Sequence, residues 1–320
     1  MNALFITYSR IGDAVLSTGL LAALISRHPF IRLTIACGPA AAPLFDAAPN
    51  VDRVIVMTKR KAGMHWADLW RACLTIRWDL IVDLRDSPVS RLLPAKSRRL
   101  IRRGHNHLHR VERLASVLDA DSPPPPQLWI TRPHMATARK LVPGYDPVLA
   151  LGPTANWPGK QWDGLRFAEL AHRLTGATAI LPGAKVAILG ADSERAEAEQ
   201  VLRLIPAQQR VDLVGKIDLL TAYAVLRRCS LFIGNDSGLM HIAAAAGIPT
   251  LGLFGPSRET HYAPWGLRTA TVRTRLDYEE LVGSPGYDHR TTPSLMGSLS
   301  IGDAEAAAIR LWNRHGDKAA

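Results

Sequence analysis

The chain reads as an α/β protein of two domains, each a parallel sheet wrapped by helices. Three observations predict this. Short β-branched apolar runs alternate with stretches of near-3.6 period along the whole length. Small-residue turns stand at the carboxyl ends of several runs, where open parallel sheets bind ligands. A proline-rich break separates two such series, and 320 residues suffice for two domains of about 150 residues each.

In the first half the strand runs are Leu4–Thr7, Leu33–Ala36, Val54–Met57 and Leu80–Leu84. Between the first two, Ala14 to Ser26 is helical: Val15, Leu16, Leu20, Ala23 and Leu24 share one side, and His28-Pro29 ends it. The break lies within Asp121 to Pro147. Ser122-Pro123-Pro124-Pro125-Pro126 excludes regular helix and central strand, and Val142-Pro143-Gly144-Tyr145-Asp146-Pro147 is a second punctuator. A short strand (Gln127–Thr131) and a helix (His134–Leu141) are expected between them, with the domain boundary near Pro143: 1–143 first, 144–302 second. The second half offers Val148–Leu151, Val186–Leu189, Val211–Val214, Leu231–Ile233 and Thr250–Phe254 as strands. A last helix, Asp303 to His315, presents Ala304, Ala307, Ala308, Leu311 and Trp312 as a docking face.

Composition is that of a globular enzyme, 47% hydrophobic and 21% charged. Cys37, Cys73 and Cys229 are widely spaced in apolar segments, which argues against a disulfide framework or zinc site and suits a reducing compartment. No apolar run reaches the roughly 18–20 residues that span a bilayer, and the start lacks a basic signal-peptide n-region, so a cytoplasmic protein is expected. The net charge of +11 is one-sided. Residues 1–150 carry 21 Lys/Arg against 11 Asp/Glu, and residues 151–320 carry 18 against 17. The excess is densest in Lys59-Arg60-Lys61 and from Lys96 to Arg113, with Arg102 and Arg103 at its middle. Such a half predicts an acidic partner. No helix-turn-helix, zinc or RNP-type pattern accompanies the charge, so nucleic acid is not expected.

The most informative segment is Leu231 to Ser257, LFIGNDSGLMHIAAAAGIPTLGLFGPS. It reads as strand, turn, Ala-rich helix, Gly-Ile-Pro stop, second strand and Gly-Pro-Ser turn. Ser237 and Gly238 offer backbone N–H groups at a helix N-terminus, a seat for phosphate; Asp236 caps the helix or accepts ribose hydroxyls, and Leu239 and His241 lie within the next turn. Asp236-Ser237-Gly238-Leu239-Met240-His241, Gly247-Ile248-Pro249 and Phe254-Gly255-Pro256-Ser257 together resemble glycosyltransferase family 9, the heptosyltransferases of lipopolysaccharide synthesis. Ser9-Arg10-Ile11-Gly12-Asp13 and Gly152-Pro153-Thr154 through Trp157-Pro158-Gly159-Lys160-Gln161-Trp162 match further family segments in order.

The resemblance implies the GT-B architecture, two Rossmann-like domains facing across a cleft, with the last helix (303–320) returning onto the first domain. It implies Asp13 as the base for the acceptor hydroxyl, although an N-cap on a helix starting at Ala14 is the simpler reading of that residue. Gly12 lets backbone approach the donor phosphates. Lys160 is the candidate that neutralises the leaving diphosphate, with Thr154 adding a hydroxyl. Asp192, in the Gly190-Ala191-Asp192 turn, is a ribose ligand or a cap; Ile217 stands where the resemblance implies adenine contact. No metal is expected: Asp119-Ala120-Asp121 fits a metal-binding Asp-x-Asp only formally, and His105, His107 and His109 read as surface histidines. The family pattern is not followed everywhere. A Cys-rich stretch of many members is here Gly283-Ser284-Pro285-Gly286-Tyr287-Asp288-His289, and Asn156-Trp157-Pro158-Gly159 looks inserted.

The function expected is therefore inverting, metal-independent sugar transfer, heptose from ADP-heptose onto a lipopolysaccharide-type acceptor. The partners expected are a nucleotide sugar and a phosphorylated lipid-linked saccharide, met by a monomer at the anionic inner face of the cytoplasmic membrane. Another nucleotide sugar on the same fold, or a non-catalytic membrane- or nucleic-acid-binding module, are the alternatives. A nicotinamide-dependent oxidoreductase would need Gly-x-Gly-x-x-Gly after a strand; Tyr8-Ser9-Arg10-Ile11-Gly12-Asp13 stands there instead.

Overall fold

Every apolar run forms a strand of one of two wholly parallel sheets. The computed structural model describes residues 1–316 other than 102, 103, 105, 106, 121, 145, 284 and 285. Two units are present, Met1–Thr131 and Arg132–Ala320.

In unit 1 the elements run β1 (Asn2–Ile6), α1 (Ile11–Arg27), β2 (Arg32–Cys37), β3 (Val51–Val56), α2 (Met64–Cys73), β4 (Trp78–Asp83), α3 (Val89–Leu92), β5 (Ala95–Leu100) and α4 (Arg110–Ala115). The sheet order is β3-β2-β1-β4-β5. β1 and β4 are central and nearly all buried, which is why they read as unbroken apolar runs. Leu4, Ile6, Leu69, Trp78 and Ile81 anchor a core beneath α2, where Trp78 Nε1 also donates to Cys73 O (3.1 Å). β5, AKSRRL, has no apolar run to announce it. It is an edge strand whose charges sit in solvent, a pattern that discourages further pairing.

Unit 2 contains α5 (Arg132–Leu141), β6 (Val148–Gly152), α6 (Gly164–Thr175), β7 (Lys185–Ile188), α7 (Arg195–Leu204), β8 (Arg210–Asp212), α8 (Leu219–Leu226), β9 (Leu231–Asn235), α9 (Gly238–Ala245), β10 (Thr250–Phe254), α10 (Glu259–Tyr262), β11 (Thr269–Arg273), α11 (Tyr278–Val282) and α12 (Ile301–His315). Its order is β11-β10-β9-β6-β7-β8. Side-chain caps open several helices: Asp163 accepts from Leu165 N, Asp218 from Thr221 N and Ser300 from Asp303 N, each worth about 1 kcal/mol. Phe167, Leu170, Leu151, Ile188 and Ile233 lie in one core with the inner face of α12.

Three expectations are corrected. The division falls at Thr131/Arg132 rather than near Pro143, because α5 packs on α8 and Arg228 Nε donates to Val142 O (2.7 Å). Residues 127–131 form no strand; Gln127 N is taken up by Thr18 Oγ1 of α1 (3.0 Å) rather than by a sheet. The face of α12 predicted from Ala304, Ala307, Ala308 and Leu311 is the buried one, but it packs on α6, β10 and β11 of unit 2. Cys37, Cys73 and Cys229 are free and buried, and burial pushes their thiols up to about 12, 11 and 12.

Candidate functional site

Each sheet has one place where the connections leave in opposite directions, between β1 and β4 in unit 1 and between β6 and β9 in unit 2. Ligands of open parallel sheets bind at such points. The sequence-predicted residues gather there, in two groups described separately.

In unit 2, Asn235 ends β9 fully buried. Its Nδ2 donates to Pro153 O (2.7 Å) and its Oδ1 accepts from Trp162 N (3.1 Å), so one side chain holds both feet of the loop after β6. Trp162 is fixed further: its Nε1 donates to Leu299 O (3.0 Å) and its ring meets Phe167 edge-on at 5.1 Å. Lys160, two residues earlier, is thereby aimed rather than left to solvent. Its Nζ donates to Asp236 Oδ2 at 2.5 Å and stands 5.6 Å from the Trp157 ring centroid. The lysine side chain is 20% exposed and the aspartate 7%, so this pair is nearly dry.

Asp236 therefore does not cap α9. The cap position belongs to Ser237, which is extended and makes no capping bond; its Oγ is buried without a hydrogen-bond partner. Gly238 and Leu239 open α9, whose first amides have no partner within the helix. The result is a turn of free donors beside a lysine, a place for an anion. Ser257 Oγ, buried after β10, is a second hydroxyl without a partner. His241 is 3% exposed, buried in α9 together with Met240 and Ile242.

Thr154 Oγ1 donates to Glu194 Oε2 (2.8 Å), which also accepts from Ala191 N (2.9 Å). The threonine's proton is thus committed to the β7 loop, a partner not foreseen. Asp192 is exposed and does not occupy the cap position, which is Ala191. It lies against Gly215, where φ is +69° and an added Cβ would sit 2.7 Å from Asp192 Oδ1. Ile217, half-buried, is two residues beyond that turn. Trp157 is flanked edge-on by Tyr287 (6.1 Å) and His289 (6.4 Å), which wall the Lys160 loop with aromatic rings.

In unit 1, Gly12 and Asp13 are the second and third residues of α1, because the helix begins at Ile11 rather than Ala14. The capping position is Arg10, so Asp13 is not an N-cap. The loop before it is pressed against Gly38, where an added Cβ would lie 2.4 Å from Ser9 Cβ. Asp13 Oδ1 is buried and accepts no hydrogen bond; Arg110 Nη2 stands 3.3 Å away. No motif singles out Arg110 or its neighbour Tyr8, although Arg110 lies within the basic run from Lys96 to Arg113. Beside them, fully buried Asp83 ends β4 and accepts from Arg85 N, Ser87 N and Ser87 Oγ (2.8, 2.7 and 2.6 Å), fixing the next loop.

Of the basic patch, Lys59, Arg60 and Lys61 are exposed in the loop after β3, Arg60 paired with Asp68 (2.7 Å) at the surface. Arg102, Arg103, His105 and Asp121 lie outside the described residues. His109 is no surface histidine: it is 8% exposed and its Nδ1 accepts from Val111 N (3.2 Å) at the start of α4. Among the described residues no group of three or more His, Cys, Asp or Glu is disposed to hold a metal ion, and no helix is long and apolar enough to cross a membrane.

The profile of glycosyltransferase family 9 (heptosyltransferase) matches residues 67–282. Lipooligosaccharide heptosyltransferase 2 of Haemophilus influenzae is 25% identical over 311 residues, covering 85% of this chain and 88% of the relative. Lipopolysaccharide heptosyltransferase 2 of Escherichia coli is 25% identical over 319 residues, covering 88% and 90%. Among solved structures, a family 9 glycosyltransferase from Veillonella parvula superposes with TM-score 0.80 at 18% identity, covering 98% of this chain and 97% of that one. E. coli ADP-heptose LPS heptosyltransferase II does so with TM-score 0.73 at 20% identity, covering 98% and 99%. These likenesses place the fold in the GT-B class.

Proposed function

Since the chain belongs to glycosyltransferase family 9, we propose that it transfers heptose from ADP-heptose to a lipopolysaccharide core acceptor by a single, inverting displacement. The names of its relatives supply the sugar and the acceptor class: heptosyltransferase 2 of lipooligosaccharide or lipopolysaccharide, and a solved ADP-heptose enzyme. The observation that carries the chemistry is the unit 2 turn, where Lys160, paired with Asp236, stands beside an unpartnered Ser237 hydroxyl and the amides opening α9.

Departure of the nucleotide places growing negative charge on the β-phosphate. Lys160 and the α9 amides neutralise it, which supplies the electrostatic part of catalysis without a metal. Lys160 exchanges Asp236 for the diphosphate as the donor binds, and Asp236 then accepts a ribose hydroxyl. Asp192 and Ile217 line the nucleoside side of the same sheet edge. Asp13, its side chain 15% exposed beside Arg110, takes the proton of the attacking hydroxyl through its carboxylate. Attack opposite the leaving group in one step inverts the anomeric carbon. The exposed 59–61 loop, with the rest of the basic run, draws the enzyme to an anionic membrane face and its phosphorylated acceptor.

The deciding experiment follows ADP release from ADP-heptose with a heptose-deficient lipopolysaccharide acceptor. Wild type is expected to turn over, Asp13→Ala to lose about 10²–10⁴-fold in kcat, EDTA to leave the rate unchanged, and the product linkage to be inverted by NMR. Turnover with a different nucleotide sugar would correct the donor. Full activity in Asp13→Ala would remove the assigned base.

A further inference from the structure

We propose that Arg110 is the positioning residue of Asp13: its guanidinium, laid on the Tyr8 ring and set against the buried Oδ1, orients the carboxylate for proton transfer. The inference rests on the reading of Asp13 as the base.

The contact between the two is one of charge. Arg110 Nη2 is 3.3 Å from Asp13 Oδ1, yet that oxygen accepts no hydrogen bond. The side chains are only 17% and 15% exposed, so each charge has lost most of its water and is compensated by the other. Arg110 holds the buried Oδ1 by charge and so fixes which way the carboxylate faces.

One of the guanidinium's donors, Arg110 Nε, is buried without an acceptor. The Tyr8 ring fixes it, at 4.4 Å from Cζ to the centroid. Tyr8 is itself held: it is 8% exposed, and its Oη donates to Leu84 O at 2.6 Å. Burial pushes the Tyr8 hydroxyl up to about 12 despite the neighbouring arginines, so it keeps the proton that makes this bond.

The backbone beneath Arg110 is equally determined. Arg110 is the first residue of α4, and the helix opens with a reciprocal cap: Val111 N donates to His109 Nδ1 (3.2 Å) and His109 N to Glu112 Oε2 (3.0 Å). α4 packs on α1, the helix that carries Asp13. The sequence His109-Arg110-Val111-Glu112 thus builds a short capped helix whose first side chain is delivered to the carboxylate.

A double-mutant cycle on the full chain, with the donor and acceptor that the wild type turns over, tests this. Arg110→Gln is expected to lower kcat about 30-fold with KM for both substrates within about twofold, Arg110→Lys to recover about a third of the rate, and Arg110→Gln in an Asp13→Asn background to cost less than about twofold more. Tyr8→Leu should follow Arg110→Gln, whereas Tyr8→Phe, which keeps the ring, should remain within about threefold of wild type. The same loss from Arg110→Gln in both backgrounds, or a loss confined to KM, overturns the proposal and makes Arg110 a substrate ligand. Should Arg110→Gln fail to fold, equal kcat in Tyr8→Leu and Tyr8→Phe overturns it equally. Full activity in Asp13→Asn is a different result, since it removes the base itself.

Discussion

The two units are wound alike and furnished differently. Read from the opposite edge, β8-β7-β6-β9-β10-β11 repeats the order β3-β2-β1-β4-β5 with one strand added. In unit 1 the switch point is furnished by a charged side chain in the first turn of a helix, Asp13, with Arg110 and Tyr8 ranged behind it. In unit 2 it is furnished by loops, held by Asn235 and presenting Lys160 and free hydroxyls. Winding fixes where a site lies; the residues at the strand ends decide its chemistry. The charge follows the same division, with nearly all of the excess in the first 150 residues.

Substitutions in the loop-built site test how far its chemistry and its support are separable. Lys160→Met is expected to lower kcat about 10²-fold. It leaves Asp236 nearly buried without its cation, so unit 2 should also lose about 3 kcal/mol in calorimetric unfolding. Asn235→Ala should act on support first: two buried backbone groups lose their partner, at about 2–3 kcal/mol together, and the unit 1 transition should not move. A joint loss in both transitions would break the comparison, since the units would then unfold as one.

Asp212 sharpens it through pH. Burial alone would raise this carboxyl, but hydrogen bonds from Arg195 and Lys216 outweigh burial and hold it at about 2. A group depressed on folding stabilises at pH above the ordinary carboxylate range, near about 4, and that contribution fades as pH falls toward about 2. Unit 2 should therefore lose stability over this window, and Asp212→Asn should flatten the curve, as followed by thermal unfolding at each pH. The smallest expected effect is Ser237→Ala: unfolding unchanged, because Oγ makes no bond within the protein, and ADP affinity about fivefold weaker by titration calorimetry.

Much of this was legible in the chain because the signals were local. Buried parallel strands read as apolar runs, and the turns after β6 and β9 announce themselves by their small residues. The edge strands were not legible. AKSRRL and TATVR have no continuous apolar run, and β5 and β11 are defined by the neighbour they pair with. Long-range pairing was equally hidden. Lys160 and Asp236 both stand in recognisable motifs, but nothing over the sequence separation of 76 says that one takes the other as partner. Arg110 was visible as charge and invisible as a contact, because its role depends on Tyr8, at the far end of the unit's sequence. Asn235 did leave a trace, an amide ending an otherwise apolar strand. Its meaning required knowing that Pro153 and Trp162 converge on it.

That convergence makes the stretch from Thr154 to Gln161 an interchangeable cassette. Its two ends are stitched to one amide side chain, so the frame is held from outside the loop, at Pro153 and Trp162. For an engineer this is a socket: loops of other lengths, closed by the same Pro and Trp contacts, can be grafted here to re-aim the lysine while the frame stays as it is.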